Sequence, residues 1–331
     1  MGESPPPVPG PRIAGPAATA ATERDTLAGI LMILVSALVL ASSDVAVKAL
    51  TETLPAIEIV WLRFVSYTLI VGTVILVRRR KVKLHVKRHD LQILRGLFAI
   101  GSATLFSSGL AYLPVGDATS ITFAAPLMVT ALSVIILKEK VGLRRWTATA
   151  IGFCGILLMV APGTASFRPA ALFPLASALC WALTLIATRA MGSAEQPLAT
   201  LLYSAATGLV VTTPLTIPFF VPLGPEQLLL GAWVGLTTTI GHGLIVLSYQ
   251  RAPASILAPI SYSQVPWSML LGYLVFGSVP TVVALVGLAL VAGSGIYISR
   301  REARKKRASE PTAPPSDPVP YVGLDEKDGP G

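Results

Sequence analysis

Four charged side chains lie within or beside two neighbouring apolar runs near the start of the chain. Asp44 and Lys48 are four residues apart in the first run, and Glu58 and Arg63 lie in the second. A charged side chain at the centre of a membrane helix costs about 2.5–3.5 kcal/mol on insertion scales. Such residues are rare and usually functional, so these four are the first candidates for chemistry.

Their depths suggest how the four charges are paired. At 1.5 Å per residue, Asp44 and Arg63 lie roughly 9 and 6 Å from the middles of their runs, and Lys48 and Glu58 about 14–15 Å. The similar depths predict that Asp44 faces Arg63 and that Lys48 faces Glu58. Such an arrangement would act as an outer gate, as a docking site for a zwitterionic substrate, or as a purely structural ion-pair network.

A single histidine lies within a later apolar run. His242 is flanked by Gly241 and Gly243, which would allow another backbone or a ligand to approach closely. An imidazole titrates near neutral pH, which suits proton transfer or hydrogen bonding to a solute. A buried neutral histidine bonded to a helix carbonyl is an equally good interpretation.

Two apolar runs contain prolines near their middles, and kinks are predicted at Pro126, Pro259 and Pro266. Proline leaves a backbone carbonyl without its helical partner, which is tolerated in a membrane where it lines a cavity. The neighbouring side chains are therefore candidates for the wall of a pocket for an organic solute, with ordinary helix packing as the alternative. They are Ser120, Thr122, Phe123, Tyr262, Gln264 and Trp267.

The elements that must position these residues are membrane helices. The chain is 53% hydrophobic and 13% charged, whereas soluble domains have about 25% charged residues. A spanning helix needs about 20 mostly apolar residues, and the runs do not alternate as strands would. Ten runs qualify: Leu27–Leu50, Ala56–Val77, Leu91–Leu113, Val115–Leu137, Trp146–Ala161, Ala170–Met191, Leu198–Val221, Gln227–Tyr249, Ser255–Phe276 and Thr281–Ser299.

The positive charges orient these helices, because cytoplasmic loops are rich in Lys and Arg. With ten spans and the N-terminus inside, the 26 Lys and Arg residues fall on the inner side, apart from Arg168 in an outer loop and Lys48, Arg63 and Arg95 within spans. This predicts a multi-pass protein of the cytoplasmic (inner) membrane with both termini cytoplasmic. Residues 1–26, rich in Pro and Ala, and the tail 300–331, first basic and then Pro-rich, are predicted to be disordered.

The chain repeats itself. The segment Ser36–Ala49 aligns with Ser177–Ala190 at an offset of 141 residues. The fold predicted is therefore all-α, with ten transmembrane helices in two five-helix halves at 27–162 and 170–299. An odd number of spans per half forces the copies to cross the membrane in opposite directions. Inverted repeats of this kind are typical of secondary transporters.

Other classes of protein lack support in the sequence. The two cysteines, Cys154 and Cys180, lie within apolar runs and have no metal-ligand spacing. No phosphate-cradling loop or nucleophile motif is present, so neither an enzyme nor a cofactor or metal site is predicted. The net charge of +9 clusters between apolar runs, so nucleic acid is not an expected partner.

Longer strings carry a family resemblance. The first half contains YLPVGDATSITFAAP (Tyr112–Pro126), and the second contains YQRAPASILAPISYSQ (Tyr249–Gln264) and LLGYLVFGSVP (Leu270–Pro280). With these strings the chain resembles the EamA type of the drug/metabolite transporter superfamily from about Leu27 to Ser299. The resemblance implies transport of an S-adenosylmethionine-like, flavin-like or amino-acid-like metabolite.

The expected function is a secondary transporter that works by alternating access, coupled to protons or to exchange. An efflux carrier for drugs or metabolites and a non-transporting membrane scaffold stay open as alternatives. The expected partners are a small-molecule substrate and membrane lipid. The sequence does not fix the substrate, the direction of transport, the coupling ion or whether the chain forms a homodimer.

Overall fold

The computed structural model describes residues 16–78, 86–138, 142–160, 168–191, 197–252 and 254–309, and it contains no strand within them. The α-helices are α1 Pro16–Leu50, α2 Ala56–Arg78, α3 His89–Tyr112, α4 Val115–Thr122, α5 Ala125–Ile136, α6 Leu143–Val160, α7 Leu172–Met191, α8 Pro197–Thr216, α9 Pro225–Arg251, α10 Ala254–Ser261, α11 Gln264–Phe276 and α12 Val282–Ser309. Short 3-10 helices lie at Pro169–Ala171 and Ile217–Phe219.

Within the described residues, seven segments are helical, long and apolar enough to cross a membrane. They are Asp25–Leu50, Ala56–Val77, His89–Tyr112, Val115–Ile136, Pro169–Met191, Leu198–Phe219 and Pro225–Arg251. Three shorter apolar helices lie at Trp146–Val160, Gln264–Phe276 and Val282–Tyr297. A multi-pass membrane protein follows from these segments, since an apolar helix satisfies its own backbone hydrogen bonds in lipid.

Two of the ten predicted spans are broken in the middle. The run predicted as Val115–Leu137 forms α4 and α5, with a turn at Phe123–Ala124. The run predicted as Ser255–Phe276 forms α10 and α11, with a turn at Tyr262–Ser263. Pro126 and Pro266 each lie in the first turn after a break, where a missing N–H is least costly. Helix α10 continues through Pro259, so this proline marks no break.

Helix α1 begins at Pro16, so it includes the end of the N-terminal segment that the sequence predicts to be disordered. Helix α12 likewise continues through Ser309, past the predicted start of the disordered tail at residue 300. Both extensions follow from helix cooperativity, since adding a residue to an existing helix costs less than starting one. Residues 1–15 and 310–331 lie outside the described residues.

The strongest helix contacts recur when the two halves of the chain are exchanged. Helix α1 packs on α9 as α3 packs on α7, and α2 packs on α9 as α3 packs on α8. Two contacts join an element to its own counterpart, namely α2 with α8 and α6 with α12, and α4 of the first broken helix packs on α11 of the second. The sequence repeat is therefore also a repeat in three dimensions, and the broken helices of the two halves meet in the centre.

Glycine allows α6 and α12 to cross at very short range. A Cβ atom added at Gly155 would lie 2.7 Å from the carbonyl oxygen of Gly287, and one added at Gly287 would lie 2.6 Å from that of Gly155. Both atoms in the way belong to backbone, which cannot move aside as a flexible side chain can. Small residues commonly let membrane helices approach in this way.

We expect Gly155→Ala to destabilise the protein by about 1–3 kcal/mol, the usual cost of overpacking. Thermal unfolding of the purified protein in detergent would measure it as a lower midpoint. Gly72→Ala is the matched control, because a Cβ at this helical position would meet nothing within 4 Å. Equal midpoints for the two variants would contradict the close crossing.

Candidate functional site

Asp44 holds together three helices from both halves of the chain. Its Oδ2 accepts hydrogen bonds from Thr119 Oγ1 of α4 at 3.3 Å, from Gln264 Nε2 of α11 at 3.1 Å and from Ser268 Oγ of α11 at 3.5 Å. Gln264 and Ser268 are one helical turn apart, so they reach the same carboxylate from one face of α11. A buried carboxylate is thus placed where the two broken helices meet α1.

Arg63 of α2 faces the same interior without a direct partner. The residue lies inside the bundle and keeps part of its surface accessible. Asp44 and Tyr67 are close enough to interact with it electrostatically. Among the described residues, however, none forms a hydrogen bond or an ion pair within 4.0 Å with its guanidinium group.

The predicted contact between Asp44 and Arg63 is therefore wrong as a direct ion pair. Both side chains face one interior, as the depth argument required, but they do not touch. The physical reason is that Gln264, Thr119 and Ser268 already supply three donors to the carboxylate. These donors lie on α4 and α11, whereas the prediction compared residue depths in α1 and α2 only.

His242 of α9 lies in the same interior, close enough to Arg63 and Arg95 for electrostatic interaction. Its Nδ1 lies 2.9 Å from the carbonyl oxygen of Thr238. A carbonyl can only accept, so Nδ1 carries the hydrogen and Nε2 is left for another contact. The ring of Trp181 lies beside the imidazole, with centroids 5.8 Å apart and planes tilted by 48°.

A second buried arginine is bonded quite differently. Arg95 of α3 donates through Nε to Thr188 of α7 at 2.9 Å, and through a terminal nitrogen to Ser204 of α8. It joins three helices and interacts electrostatically with Tyr67. Arg95 is therefore a cross-link between helices, in contrast with the unpaired Arg63.

The two helix breaks contact each other through aromatic rings. The centroids of Phe123 and Tyr262 lie 5.0 Å apart, with a tilt of 35° between the planes. Tyr262 is only 8% exposed, and its ring packs against Gly295 of α12. Its hydroxyl is buried with no hydrogen-bond partner among the described residues. These rings form part of the packed centre between the halves.

Three residues predicted in the pocket wall form no hydrogen bond with the central polar groups in the described part of the chain. Ser120 and Thr122 donate to the carbonyls of Gly116 and Ala118 within α4, at 2.6 and 2.9 Å, so their hydroxyls are satisfied by their own helix. Trp267 is 36% exposed and lies on one stripe of α11 with the exposed Leu270 and Leu274. It lies three residues after Gln264 and is therefore its neighbour on the helix surface, so a contact of Trp267 with a solute stays a prediction.

The predicted gate pair of Lys48 and Glu58 does not form. Lys48 Nζ donates to the carbonyl oxygen of Leu110 at 2.6 Å, near the end of α3, where free carbonyls attract cations. Glu58 Oε2 accepts from the backbone N–H of Val221 at 3.0 Å. Depth alone does not predict these partners, because both side chains bond to backbone groups in segments that are distant in the sequence.

The separation of Lys48 and Glu58 predicts that their contributions to stability are independent. We expect the destabilisation of Lys48→Gln and Glu58→Gln to add in the double variant to within about 0.5 kcal/mol, as for sites without shared partners. Thermal unfolding of the four proteins in detergent would provide the double-mutant cycle. A coupling energy well above about 0.5 kcal/mol would show that Lys48 and Glu58 interact directly, as the gate-pair prediction requires.

Sequence reasoning identified Asp44, Arg63, His242 and Gln264 because charged or amide groups stand out in apolar runs. It did not identify Ser268, Tyr67 or Trp181 as part of the site. A serine or an aromatic residue in such a run is indistinguishable from ordinary packing. The spacing of Ser268 four residues after Gln264 was the one available signal.

The fold and these buried polar groups define a helical membrane protein with an internal repeat and a polar centre between its halves. The chain belongs to the EamA-like transporter family, which matches residues 27–161 and 168–300. These two matches are the two halves seen in the packing. The division into five-helix halves at 27–162 and 170–299 stays a prediction.

Several curated proteins are similar to this chain. The S-adenosylmethionine uptake transporter of Rickettsia prowazekii is 28% identical over 272 residues, covering 82% of this chain and 92% of the relative. The riboflavin transporter of Vibrio cholerae is 30% identical over 230 residues, covering 68% and 76%. A solved crystal structure, 22% identical, shares the fold with a TM-score of 0.56 and covers 87% of this chain and 99% of its own.

Proposed function

We propose that this protein is a secondary transporter that moves a small organic metabolite across the cytoplasmic membrane by alternating access. The observation that carries the proposal is the bridging of α1, α4 and α11 by Asp44, at the point where the two broken helices meet. A polar group at the junction of two repeats is where transporters of this architecture bind substrate or coupling ion.

The proposed topology has ten spans in two inverted halves, with both termini on the cytoplasmic side. The seven long apolar helices supply most of the spans. Helices α6, α10–α11 and α12 supply the other three, with Trp146–Val160, Gln264–Phe276 and Val282–Tyr297 as their apolar parts. The recurrence of the strongest helix contacts on exchange of the halves supports this count, because each of the five elements in one half then has a counterpart in the other.

Asp44 and His242 are the proposed carriers of a proton or of substrate hydrogen bonds. Two relatives of this chain are named as transporters, one of S-adenosylmethionine and the other of riboflavin. Both solutes are small organic metabolites with an aromatic ring system. The aromatic residues Trp181 and Tyr67 lie near the charged groups and would contact such a ring.

The test is accumulation of labelled solute by proteoliposomes containing the purified full chain. S-adenosylmethionine and riboflavin would each be supplied, with and without a pH gradient, and empty liposomes would be the control. We expect uptake of one solute above the control, increased by the gradient or by the same unlabelled solute inside. Binding of solute without any movement across the membrane would support the scaffold instead.

A further inference from the structure

Arg63 is a buried cation whose hydrogen-bonding capacity is unused. The guanidinium group carries five N–H donors and is always charged. It lies inside the bundle, and no residue that the structure describes pairs with it. Burying a charge without a partner is strongly unfavourable, so such a group is normally matched by an anion.

The nearest acid does not provide this match. Asp44 interacts with Arg63 electrostatically, but no nitrogen of the guanidinium approaches its carboxylate within 4.0 Å. Gln264 and Thr119 hold the carboxylate toward α4 and α11 instead. Asp44 and Arg63 therefore face the same interior, and the hydrogen bonds of Asp44 keep its carboxylate away from Arg63.

This arrangement is complementary to a molecule with two opposite charges. A carboxylate placed at Arg63 would receive paired N–H donors, the geometry in which Arg binds carboxylates most strongly. An ammonium group on the same molecule would be attracted to Asp44. The free Nε2 of His242 lies in the same interior and would accept or donate a further hydrogen bond.

We propose that Arg63 binds the carboxylate of a zwitterionic substrate with an α-amino-acid end, and that Asp44 faces its ammonium group. The assignment rests on the transport function proposed above and narrows its substrate class. An uncharged ring system such as riboflavin would leave Arg63 unmatched. S-adenosylmethionine carries an α-amino-acid end beside an aromatic base, so it fits both parts of the site.

Arg95 is the less suitable anion site, although it is also buried. Its donors already bond to Thr188 and Ser204, so binding an anion there would break existing contacts. Arg63 and Arg95 thus have the same guanidinium group and both lie inside the bundle, but only Arg95 has hydrogen-bond partners among the described residues. This makes Arg95→Gln a matched control for Arg63→Gln.

The experiment compares binding of S-adenosylmethionine with that of its decarboxylated form, which lacks only the carboxylate. Both dissociation constants would be obtained from ligand-dependent thermal stabilisation of the purified full chain. We expect the wild type to favour the carboxylate form by roughly tenfold or more, the scale of a charge-assisted hydrogen bond. Arg63→Gln should bring the ratio close to one, and Arg95→Gln should keep it.

The ratio is taken within each variant, so a general loss of stability cancels. Arg63→Lys is a second variant that keeps the charge without the paired donors, and it should give an intermediate ratio. A wild-type ratio near one, absence of binding to the wild type, or an unchanged ratio in Arg63→Gln would each overturn the assignment.

The uptake assay separates this assignment from the transport proposal. Uptake of riboflavin without carboxylate-dependent binding would overturn the substrate class and keep the transporter. Carboxylate-dependent binding lost in Arg63→Gln, together with no uptake by the wild type, would support the site and contradict transport.

Discussion

Replacing Asp44 with Asn is expected to reduce solute uptake by about 100-fold or more, which corresponds to about 3 kcal/mol. The carboxylate oxygen of Asp44 accepts from three side chains, Thr119, Gln264 and Ser268. All three donors meet one oxygen, and asparagine can place its amide oxygen there, so the hydrogen bonds can be kept while their strength falls because the acceptor is no longer charged. The change also removes the negative charge and the group that can carry a proton.

Initial uptake rates in proteoliposomes, at equal amounts of reconstituted protein, would measure this effect. Asp117→Asn is the matched control, since Asp117 is a buried acid of α4 with no hydrogen bond to Asp44. We expect it to leave uptake nearly unchanged. Unchanged uptake and substrate preference in Asp44→Asn would remove Asp44 from the transport mechanism.

The position of Asp44 explains why one substitution should have such a large effect. The residue lies on α1, while its partners lie on the broken helices of both halves. A change in the charge or the hydrogen bonds of Asp44 therefore alters the contact between α4 and α11. Substrate or proton binding at one carboxylate can in this way bias the arrangement of the two halves, as population shifts require.

Much of the architecture could be predicted from the sequence because it depends on hydrophobicity and spacing. Apolar runs and the aligned segments Ser36–Ala49 and Ser177–Ala190 indicated helices and a repeat. Boundaries were harder where helices continue past the apolar run, as at Pro16 and Ser309. Charge and hydropathy change at the membrane surface, but a helix need not end there.

The site was predicted less completely, because its contacts join residues far apart in the chain. Asp44 and Gln264 are both conspicuous by type, yet nothing in the sequence pairs residues 220 positions apart. Lys48 and Glu58 have matching depths but different neighbours around the helix axis. Depth follows from counting residues, whereas the direction of a side chain around the bundle depends on the tertiary packing.

Replacing both Pro126 and Pro266 with Ala is expected to slow uptake by about tenfold, which corresponds to 1.4 kcal/mol in the barrier. Pro126 cannot donate to the carbonyl of Thr122, and Pro266 cannot donate to that of Tyr262, so each helix is broken just before its proline. Alanine restores both donors and favours continuous helices. The broken segments would then bend less readily at the place where the rings of Phe123 and Tyr262 meet.

Pro259→Ala is the control for this double variant, since α10 already continues through residue 259. It should raise helix stability without joining two separate helices, and uptake should fall much less. Thermal unfolding distinguishes loss of bending at the helix breaks from misfolding. The double variant is expected to unfold at a higher temperature than the wild type and to transport more slowly, whereas a misfolded variant would unfold at a lower temperature. Faster uptake at equal stability would show that the breaks at Phe123 and Tyr262 do not act as hinges. A slower and more stable transporter would show that the cost of two broken helices is retained because the halves must move against each other.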